Sequence, residues 1–600
     1  MIKSKFPIIS IDTEYNRFKI PFIGTTTNSL MESELFDLRA KKGRERMREI
    51  CESPQIEKVF HAITNDVYAL SLIGIDVVPP YHCTLVAGSL INENFASLKL
   101  KTMAKTILGE TCDEEKALSK VKAKLRREAK KQGKVFDYEM IPTEIIKPYA
   151  IKDTEYTIKL FFYFSEQLKA YKELYDFELS LVPIIVRMQQ VGMPVDREFC
   201  KQKSSEFYNK KISHYKKLLA YIKKYNLVTT FPRNKPYYNP ASPKQVKEVV
   251  EQLGLDIKLN HKGDISTDMK TLQTFRSHPF IHNQLMCRFY EKQRGTYYSP
   301  LLKHYTSKAS NRAHFSFYQS GTKTGRFSAE LIQTIPKMKE DRILGETREV
   351  RKAFICPPGY MMFLFDYNQI EMRLFIHYAK CKLMADKVKA GYDPHIGTAY
   401  DIFGKKYVDN LDDNTKKAFR DAMKDTNFGI IFGMGANKLL SQLKHHELPT
   451  TKNPHEILRD YYKKYPVREF MQQTTSMLYK TGVITISFDS SLMKFTRDYR
   501  VPQDLAYKGT NVIIQGTAAY VMKYGMQRVD KLIKKYKLGV KMFMTVHDEL
   551  GFFIKKDLHL RKTVLRIKRT IEDHVTFDLP MTVSVKCSKN NWGEAKTWES

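Results

Sequence analysis

The sequence predicts a multi-domain protein of mixed class, an α/β domain followed by an α+β one, and three observations carry that prediction. The chain has 600 residues, which at about 150 residues per domain makes several packing units. Hydrophobic residues make up 42% and aromatics 12%, enough apolar material for several cores and against disorder of the whole chain. Strand-like and helix-like stretches alternate near the N-terminus, whereas a strand, a helix, a long helical block and a hairpin follow one another in the last half.

Residues 1 to about 175 open with the apolar alternation of Ile8, Ile9 and Ile11, pass through a second apolar stretch from Val59 to Ile75 and close on a helix-like run from Pro148 to Leu168. Strand, strand and helix in that order read as the α/β domain. Within it, Glu114 to Lys134 carries nine lysines and arginines and few apolar residues. This is a charged helix or loop, either a solvated face or a nucleic-acid contact. From Asp176 to about Lys308 the text is Lys-rich, with Tyr and Phe at helical spacing and turn residues near Asn239 to Pro243, so long helices joined by a loop are expected. Beyond residue 309, Met361 to Phe365 reads as a buried strand, Arg420 to Gly433 as a helix, and Lys541 to Val546 with Leu550 to Ile554 as the arms of a hairpin. No internal repeat or low-complexity segment interrupts this order.

Lys plus Arg number 100 against 66 Asp plus Glu, a formal charge of +34, far beyond what solubility requires. The cations are scattered through the chain with aromatics between them, which suits nucleic acid better than a membrane surface. Eight cysteines lie apart with no C-x-x-C pair and no His at zinc spacing, which excludes a disulfide framework and a structural zinc and points to a reducing compartment. No apolar run approaches the roughly 18 residues of a membrane span, and strand-like text begins within the first ten residues, so neither a span nor a targeting peptide is expected.

The chemistry-bearing residues fall into two groups. Asp366 ends the strand of Met361 to Phe365, and Asp548 lies in the tight turn His547-Asp548-Glu549 between the hairpin arms. Two aspartates at strand ends in so basic a chain suit Mg²⁺, which takes carboxylate and substrate-phosphate oxygens. Two such ions about 4 Å apart serve phosphoryl transfer. Each Asp could instead cap a helix or turn. Between them Arg420, Lys424 and Phe428 stand at i, i+4 and i+8, one helix face about 12 Å long. Two cations and an aromatic over that length suit a nucleoside triphosphate, although an ordinary amphipathic helix gives the same spacing. Gly429, Gly433 and Gly435 weaken the helix end and leave room for approach or hinge movement. In the first domain Asp12 and Glu14 are two apart on a strand and share a face. Asp66 follows the second apolar stretch, and Tyr149 and Asp153 stand at i and i+4 on a helix. Four carboxylates with a phenol could bind two Mg²⁺ and orient a water for phosphodiester hydrolysis.

The order Thr324-Gly325-Arg326-Phe327-Ser328, Asp366 to Glu371, Arg420 to Gly433, Gln515 to Ala519, Val546 to Glu549 and Asn591 to Lys596 resembles the family A DNA polymerases, and the N-terminal carboxylates resemble the 3′-5′ proofreading exonuclease domain that precedes the polymerase in that family. The resemblance implies an RNase H-like exonuclease domain over 1–175, then a right-hand polymerase: junction, thumb and start of palm over 176–345, palm with the first Asp over 346–390, fingers over 391–480 and palm with the second Asp over 481–600. It implies that Asp366 and Asp548 hold two Mg²⁺ with Glu549 near the primer end, and that Asp12, Glu14, Asp66 and Asp153 hold two more beside Tyr149. Glu371 would close the pocket beneath the sugar. Arg420, Lys424 and His395 would bind the triphosphate, and Phe428 would pack on the incoming nucleotide. Arg326, Asn511, Gln515 and His547 would reach the primer-template minor groove. Arg288, Lys292, Thr296 and Tyr297 look like the thumb, where a plain helix surface is an equal reading. Primer-template DNA and deoxynucleoside triphosphates would be the partners, the cytoplasm the location.

Departures accompany the resemblance. Phe432 stands where the family usually has Tyr, Ala62 where an Asn is expected four before Asp66, and no clear Gly-Arg-Arg segment occurs between Gly482 and Pro502. The segment Asp137 to Pro142 and the lack of a preceding 5′-nuclease domain suggest a bacteriophage member that replicates its genome in a bacterial host. A single-subunit RNA polymerase, a nuclease with an inert polymerase half and a structural nucleic-acid-binding protein remain as rivals; Glu371 opposes the first, and Asp366, Lys424 and Asp548 the second.

Overall fold

The computed structural model describes residues 6–230, 238–257, 265–306, 310–338, 344–433, 439, 448, 452–489, 494–573 and 577–599; Lys308 and Gly435 lie outside them. The N-terminal sheet is built from β1 (Ile8–Tyr15), β2 (Pro21–Asn28), β3 (Ser33–Asp37), β4 (Glu57–Phe60) and β5 (Tyr81–Cys83), in the order β3-β2-β1-β4-β5. β1 runs antiparallel to β2 and parallel to β4. Around the sheet lie α1 (Lys41–Cys51), α2 (Ile63–Ser71), α3 (Thr84–Ile91), α4 (Leu100–Leu108), α5 (Asp113–Lys131) and α6 (Thr143–Leu168). The central position of β1 explains its apolar alternation: Ile8 and Ile11 are buried.

Helix α6 lies on β1 and β2 and is pinned by hydroxyls. Ser10 Oγ donates to Thr154 O at 2.8 Å, and Thr27 Oγ1 meets Thr154 Oγ1 at 2.6 Å. It begins five residues before the expected Pro148, which sits in its second turn at the cost of one backbone hydrogen bond. The charged segment from residue 114 is helical, with Leu118 and Ala129 its buried residues, as a largely solvated face requires.

Helices α7 (Lys172–Ser180) and α8 (Val182–Val191) lead into α9 (Arg197–Lys224), which packs on α10 (Pro279–Lys292). Asp196 caps α9 by accepting from Phe199 N at 2.9 Å, and the rings of Phe207 and Tyr290 stack 5.7 Å apart between the helices. This is the long-helix middle that the aromatic spacing predicts.

The second sheet starts with β6 (Tyr360–Tyr367), after which α11 (Ile370–Tyr378), α12 (Pro394–Phe403), α13 (Asp413–Ile431) and α14 (Arg468–Thr481) form a helical block. A hairpin of β7 (Val483–Asp489) and β8 (Lys494–Arg500) precedes α15 (Gly509–Lys535), β9 (Val540–Val546), β10 (Glu549–Lys555), α16 (Leu560–Glu572), β11 (Val583–Ser588) and β12 (Lys596–Thr597). The sheet order is β9-β10-β6-β11-β12, antiparallel throughout. Tyr367 turns to the face covered by α15 and α16: its hydroxyl donates to Ile571 O at 3.1 Å, and a Cβ on Gly525 of α15 would stand 3.0 Å from it. Period-2 alternation therefore sends Asp366 to the opposite face.

The two sheets belong to one body. A contiguous core runs from Ile11 to Trp592, and Lys523 on α15 forms an ion pair with Glu178 on α7, both sealed from solvent. The β7-β8 hairpin fills the stretch where no Gly-Arg-Arg segment was found. It turns toward the N-terminal domain: Arg497 Nη2 donates to Ser89 O at 2.6 Å, and Tyr171 Oη donates to Asp498 Oδ2 at 3.0 Å.

Candidate active sites

The antiparallel register of β6 and β10 sets Asp366 opposite Glu549, and Tyr367 N donates to Asp548 O at 3.1 Å. His547 takes φ +54°, a left-handed conformation uncommon outside glycine, and this closes the turn that brings Asp548 beside the end of β6. Asp366 and Asp548 line one cavity of about 520 Å³ with Lys337, Glu371, Lys424 and Phe428. Burial raises the pKa of Asp366, against the nearby charges of Lys337, Lys586, His547 and Arg351. Burial also pushes Asp548 up to about 6, with Arg326 opposing, and Glu549 up to about 7, with Asp366 adding to the shift. Buried hard oxygens that resist ionisation are a donor set suited to a divalent cation.

Helix α13 aims Lys424 and Phe428 into this cavity. Arg420 stands on the same face but is engaged: Nη2 donates to Asp393 Oδ2 at 2.7 Å, and Nη1 to Asp421 Oδ1 at 3.3 Å. Asp393 also caps α12 by accepting from His395 N at 2.9 Å. His395 is fully buried. Burial lowers its pKa to about 4, Asn427 Nδ2 lies 3.1 Å from its Nδ1, and its Nε2 has no partner among the described residues. The ring is thus a neutral packing group here. Phe432 follows α13, is 36% exposed and stacks on Phe428 at 6.5 Å.

Arg326, expected on DNA, forms an ion pair with Glu371 and lies 3.7 Å from Asp548. Asn511 and Gln515 share a face of α15 at i and i+4, and Asn511 Oδ1 is buried with no partner among the described residues. In the helical middle Arg288 departs from the expected DNA contact: its guanidinium donates to Pro240 O at 2.8 Å and to Thr267 O, because backbone carbonyls of two neighbouring loops need donors. Lys292 and Thr296 are exposed, whereas Tyr297 is buried with its hydroxyl donating to Thr334 O at 2.8 Å.

In the N-terminal domain Asp12 and Glu14 project from β1 toward Asp153 on α6. Their ligand oxygens all lie within 4.8 Å of one another, the one such acid, His or Cys group among the described residues. Asp66, on α2, lies outside that trio: its Oδ1 accepts from Thr13 N at 3.0 Å and Thr13 Oγ1 at 2.6 Å. Burial pushes Glu14 up to about 8, with Asp153 adding; Asp66 up to about 7, with the Thr13 bonds opposing; and Asp153 up to about 6, with Lys101 opposing. Asp12 is raised well above its ordinary value by burial, then by Asp66. Tyr149 is also raised, by burial and then by Asp153. Ala62 occupies the N-cap of α2 and makes no side-chain cap bond. It lines a cavity of about 620 Å³ between the domains with Lys99 and Lys323.

Two cations escaped the sequence reading, and a third, Lys122, is read there only as part of the charged segment. Lys101 meets Asp153, Lys122 lies 4.3 Å from the Tyr138 ring centroid, and Lys337 faces Asp366 across the cavity. Nothing in their spacing marks them, since each approaches its site from a different element.

The sequence profile of DNA polymerase family A matches residues 203–594, more than half of the chain, and that of a 3′-5′ exonuclease matches residues 3–169. Among curated proteins the chain is similar to DNA polymerase I of Pseudomonas aeruginosa, 27% identical over 78% of this chain and 50% of that one. It is also similar to those of Caldicellulosiruptor bescii, 30% identical over 70% and 47%, and Borreliella burgdorferi, 27% identical over 87% and 54%. The chain spans about half the length of these relatives. They are bacterial, and they lend no support to the bacteriophage likeness read from residues 137–142. In the structure that segment has a local job, Asp137 Oδ1 accepting from Arg17 N at 3.1 Å. Among solved structures, the POL domain of Pol1 from M. smegmatis in complex with DNA primer-template and dNTP has the same fold, with TM-score 0.76 and 21% identity over 99% of this chain and 96% of that one. Among the described residues no helix is long and apolar enough to cross a membrane. The chain belongs to DNA polymerase family A and carries a 3′-5′ exonuclease domain before its polymerase region.

Proposed function

We propose that this chain is a template-directed DNA polymerase that adds deoxynucleotides to a primer 3′ end and removes mispaired ends hydrolytically in its N-terminal domain. One observation carries the reading: Asp366 and Asp548 line the same cavity as Lys424 and Phe428 of α13. Asp366 and Asp548 would hold Mg²⁺ at the polymerase site, and Asp12, Glu14, Asp66 and Asp153 at the exonuclease site; the ions supply activation of the attacking oxygen and charge stabilisation of the leaving one. Lys424 binds the triphosphate, and Arg420 joins it by exchanging Asp393 for phosphate. Phe428 packs on the incoming nucleotide. Glu371, held by Arg326, bounds the sugar end of the cavity, and Asn511, Gln515 and His547 follow the minor groove, where acceptors are nearly common to all base pairs. Exposed Lys292 contacts phosphate, whereas Arg288 holds its own helix bundle. Tyr149 and Asp153 orient the hydrolytic water beside Asp12 and Glu14.

A cytoplasmic setting is supported by eight cysteines, all free. Genome replication is the proposed role, and the chemistry rests on the carboxylates whatever the source of the gene. Extension of a primed template with each nucleotide type, on matched and mismatched ends, tests the reading. Deoxynucleotide-dependent extension with faster trimming of mismatched ends is expected. Degradation without extension would reduce the C-terminal half to a scaffold, and a preference for ribonucleotides would make it an RNA polymerase.

A further inference from the structure

The proposed chemistry gives Lys101 no task, yet four side chains surround it. It leaves α4 with its side chain 9% exposed, and its ammonium meets Asp153 of the acidic trio and, at 2.8 Å, Glu114 Oε1 on α5. It lies 4.3 Å from the ring centroid of Tyr149 and 4.8 Å from that of Tyr156. Two carboxylates and two aromatic faces thus fix one cation, with Asp153 at one end and an acid outside the trio at the other.

The arrangement has an electrostatic consequence. Asp12, Glu14 and Asp153 bring oxygens within 4.8 Å of one another, and like charges that close need a counter-charge. Lys101 supplies one from within the fold. A divalent cation entering the trio then competes with the ammonium for Asp153 and meets it as a like charge at short range. Lys122 reaches the same region from α5, 5.5 Å from the Tyr149 centroid, and its charge opposes the rise at Glu14, but among the described residues no ion pair joins it to the trio as one joins Lys101 to Asp153. The two lysines are therefore not equivalent.

We infer that Lys101 is a positioning residue of the exonuclease site: it holds Asp153 in register with Asp12 and Glu14 and keeps the trio's affinity for divalent cations low in the absence of substrate. The inference rests on the reading of these acids as metal ligands. A phosphodiester entering the site adds negative charge and shifts the balance toward the metal, so hydrolysis is armed by the strand it cuts.

The test uses the full chain with Asp366→Asn and Asp548→Asn, which silence the other site, and follows free Mn²⁺ by electron paramagnetic resonance. Lys101→Met should bind Mn²⁺ about tenfold more tightly, the effect of removing one screened like charge at close range, while single-strand degradation falls in the chain carrying that change. Lys101→Arg should stay near the unchanged affinity and restore most of the degradation. Glu114→Gln, which leaves Lys101 to Asp153 alone, should weaken Mn²⁺ binding severalfold and serves if Lys101→Met fails to fold. A merely structural lysine would give weaker binding on removal. Unchanged or weaker binding in a Lys101→Met chain with the parent melting temperature overturns the inference alone, as does tighter binding in Glu114→Gln. Absence of Mn²⁺ binding in both the parent and the folded Lys101→Met chain overturns the metal reading of the trio and the inference with it.

Discussion

In the N-terminal domain three acids converge from β1 and α6 and a lysine from a neighbouring helix is paired with one of them, whereas in the C-terminal sheet Asp366 and Asp548 come from two strand ends and share an open cavity lined by Lys337 and Lys424, with Arg326 3.7 Å from Asp548. The first site is assembled before anything binds and needs an internal counter-charge and protons to remain so. The second is a set of charges around a volume, completed by what fills it. The difference teaches that hydrolysis needs one strand held against fixed acids, whereas synthesis must admit and release a charged nucleotide at every step.

The largest expected effect separates the two sites outright. Asp366→Asn or Asp548→Asn should reduce primer extension by about three orders of magnitude or more, the loss of several kcal/mol of charge stabilisation, while single-strand degradation persists; loss of both activities in a folded variant would mean that the sites are not separate. Next, Phe428→Tyr adds a hydroxyl to the nucleotide cavity alone. It should raise dideoxynucleotide incorporation by roughly tenfold to a hundredfold, the scale of one hydrogen bond to a charged group, measured by chain-termination kinetics with degradation as the unaffected control.

A smaller effect is read from pH. In the exonuclease trio burial lifts Glu14 to about 8 and raises Asp12 as well, whereas beside the polymerase pair it lifts Glu549 to about 7. Protonated acids hold a cation less well, so the acid limb of kcat/KM for degradation should lie at higher pH than that for extension. Coincident limbs would remove the distinction. The smallest effect concerns the metal-free protein. Glu14, Asp66 and Asp153 bind protons more tightly folded than unfolded, so their contribution is most favourable at low pH and is lost as pH rises from the ordinary carboxylate range to about 8. The melting temperature of the N-terminal unit should drop by a few degrees across that interval, and Glu14→Gln should flatten the slope in a calorimetric scan.

The parts of this arrangement written in sequence are those with a local period. Asp12 and Glu14 share a face because strands alternate, Tyr149 and Asp153 because helices repeat, and Asp548 sits at a turn because apolar arms flank it. Even the long solvated helix before residue 131 could be read from its charge. What escaped depends on which element meets which. Lys101 looks like any lysine on an amphipathic helix until α4 is laid against α6. Arg326 and Arg288 carry the same charge, yet one closes Glu371 toward Asp548 and the other satisfies carbonyls of a loop. His395 could be placed near α13 by resemblance, but its burial as a neutral ring follows from the packing of α12 on Asn427. Partner choice by a long cation is a tertiary decision and leaves no periodic trace.

The sealed pair of Lys523 and Glu178 has a bearing on traffic between the two sites. Pulling α7, the helix that leaves the N-terminal domain, from α15 would strand a bare ammonium and a bare carboxylate in a medium that solvates neither, a penalty of several kcal/mol. On the proposed function the root of the N-terminal domain is thereby anchored, and a faulty primer terminus would have to melt and cross to the other site before it is trimmed.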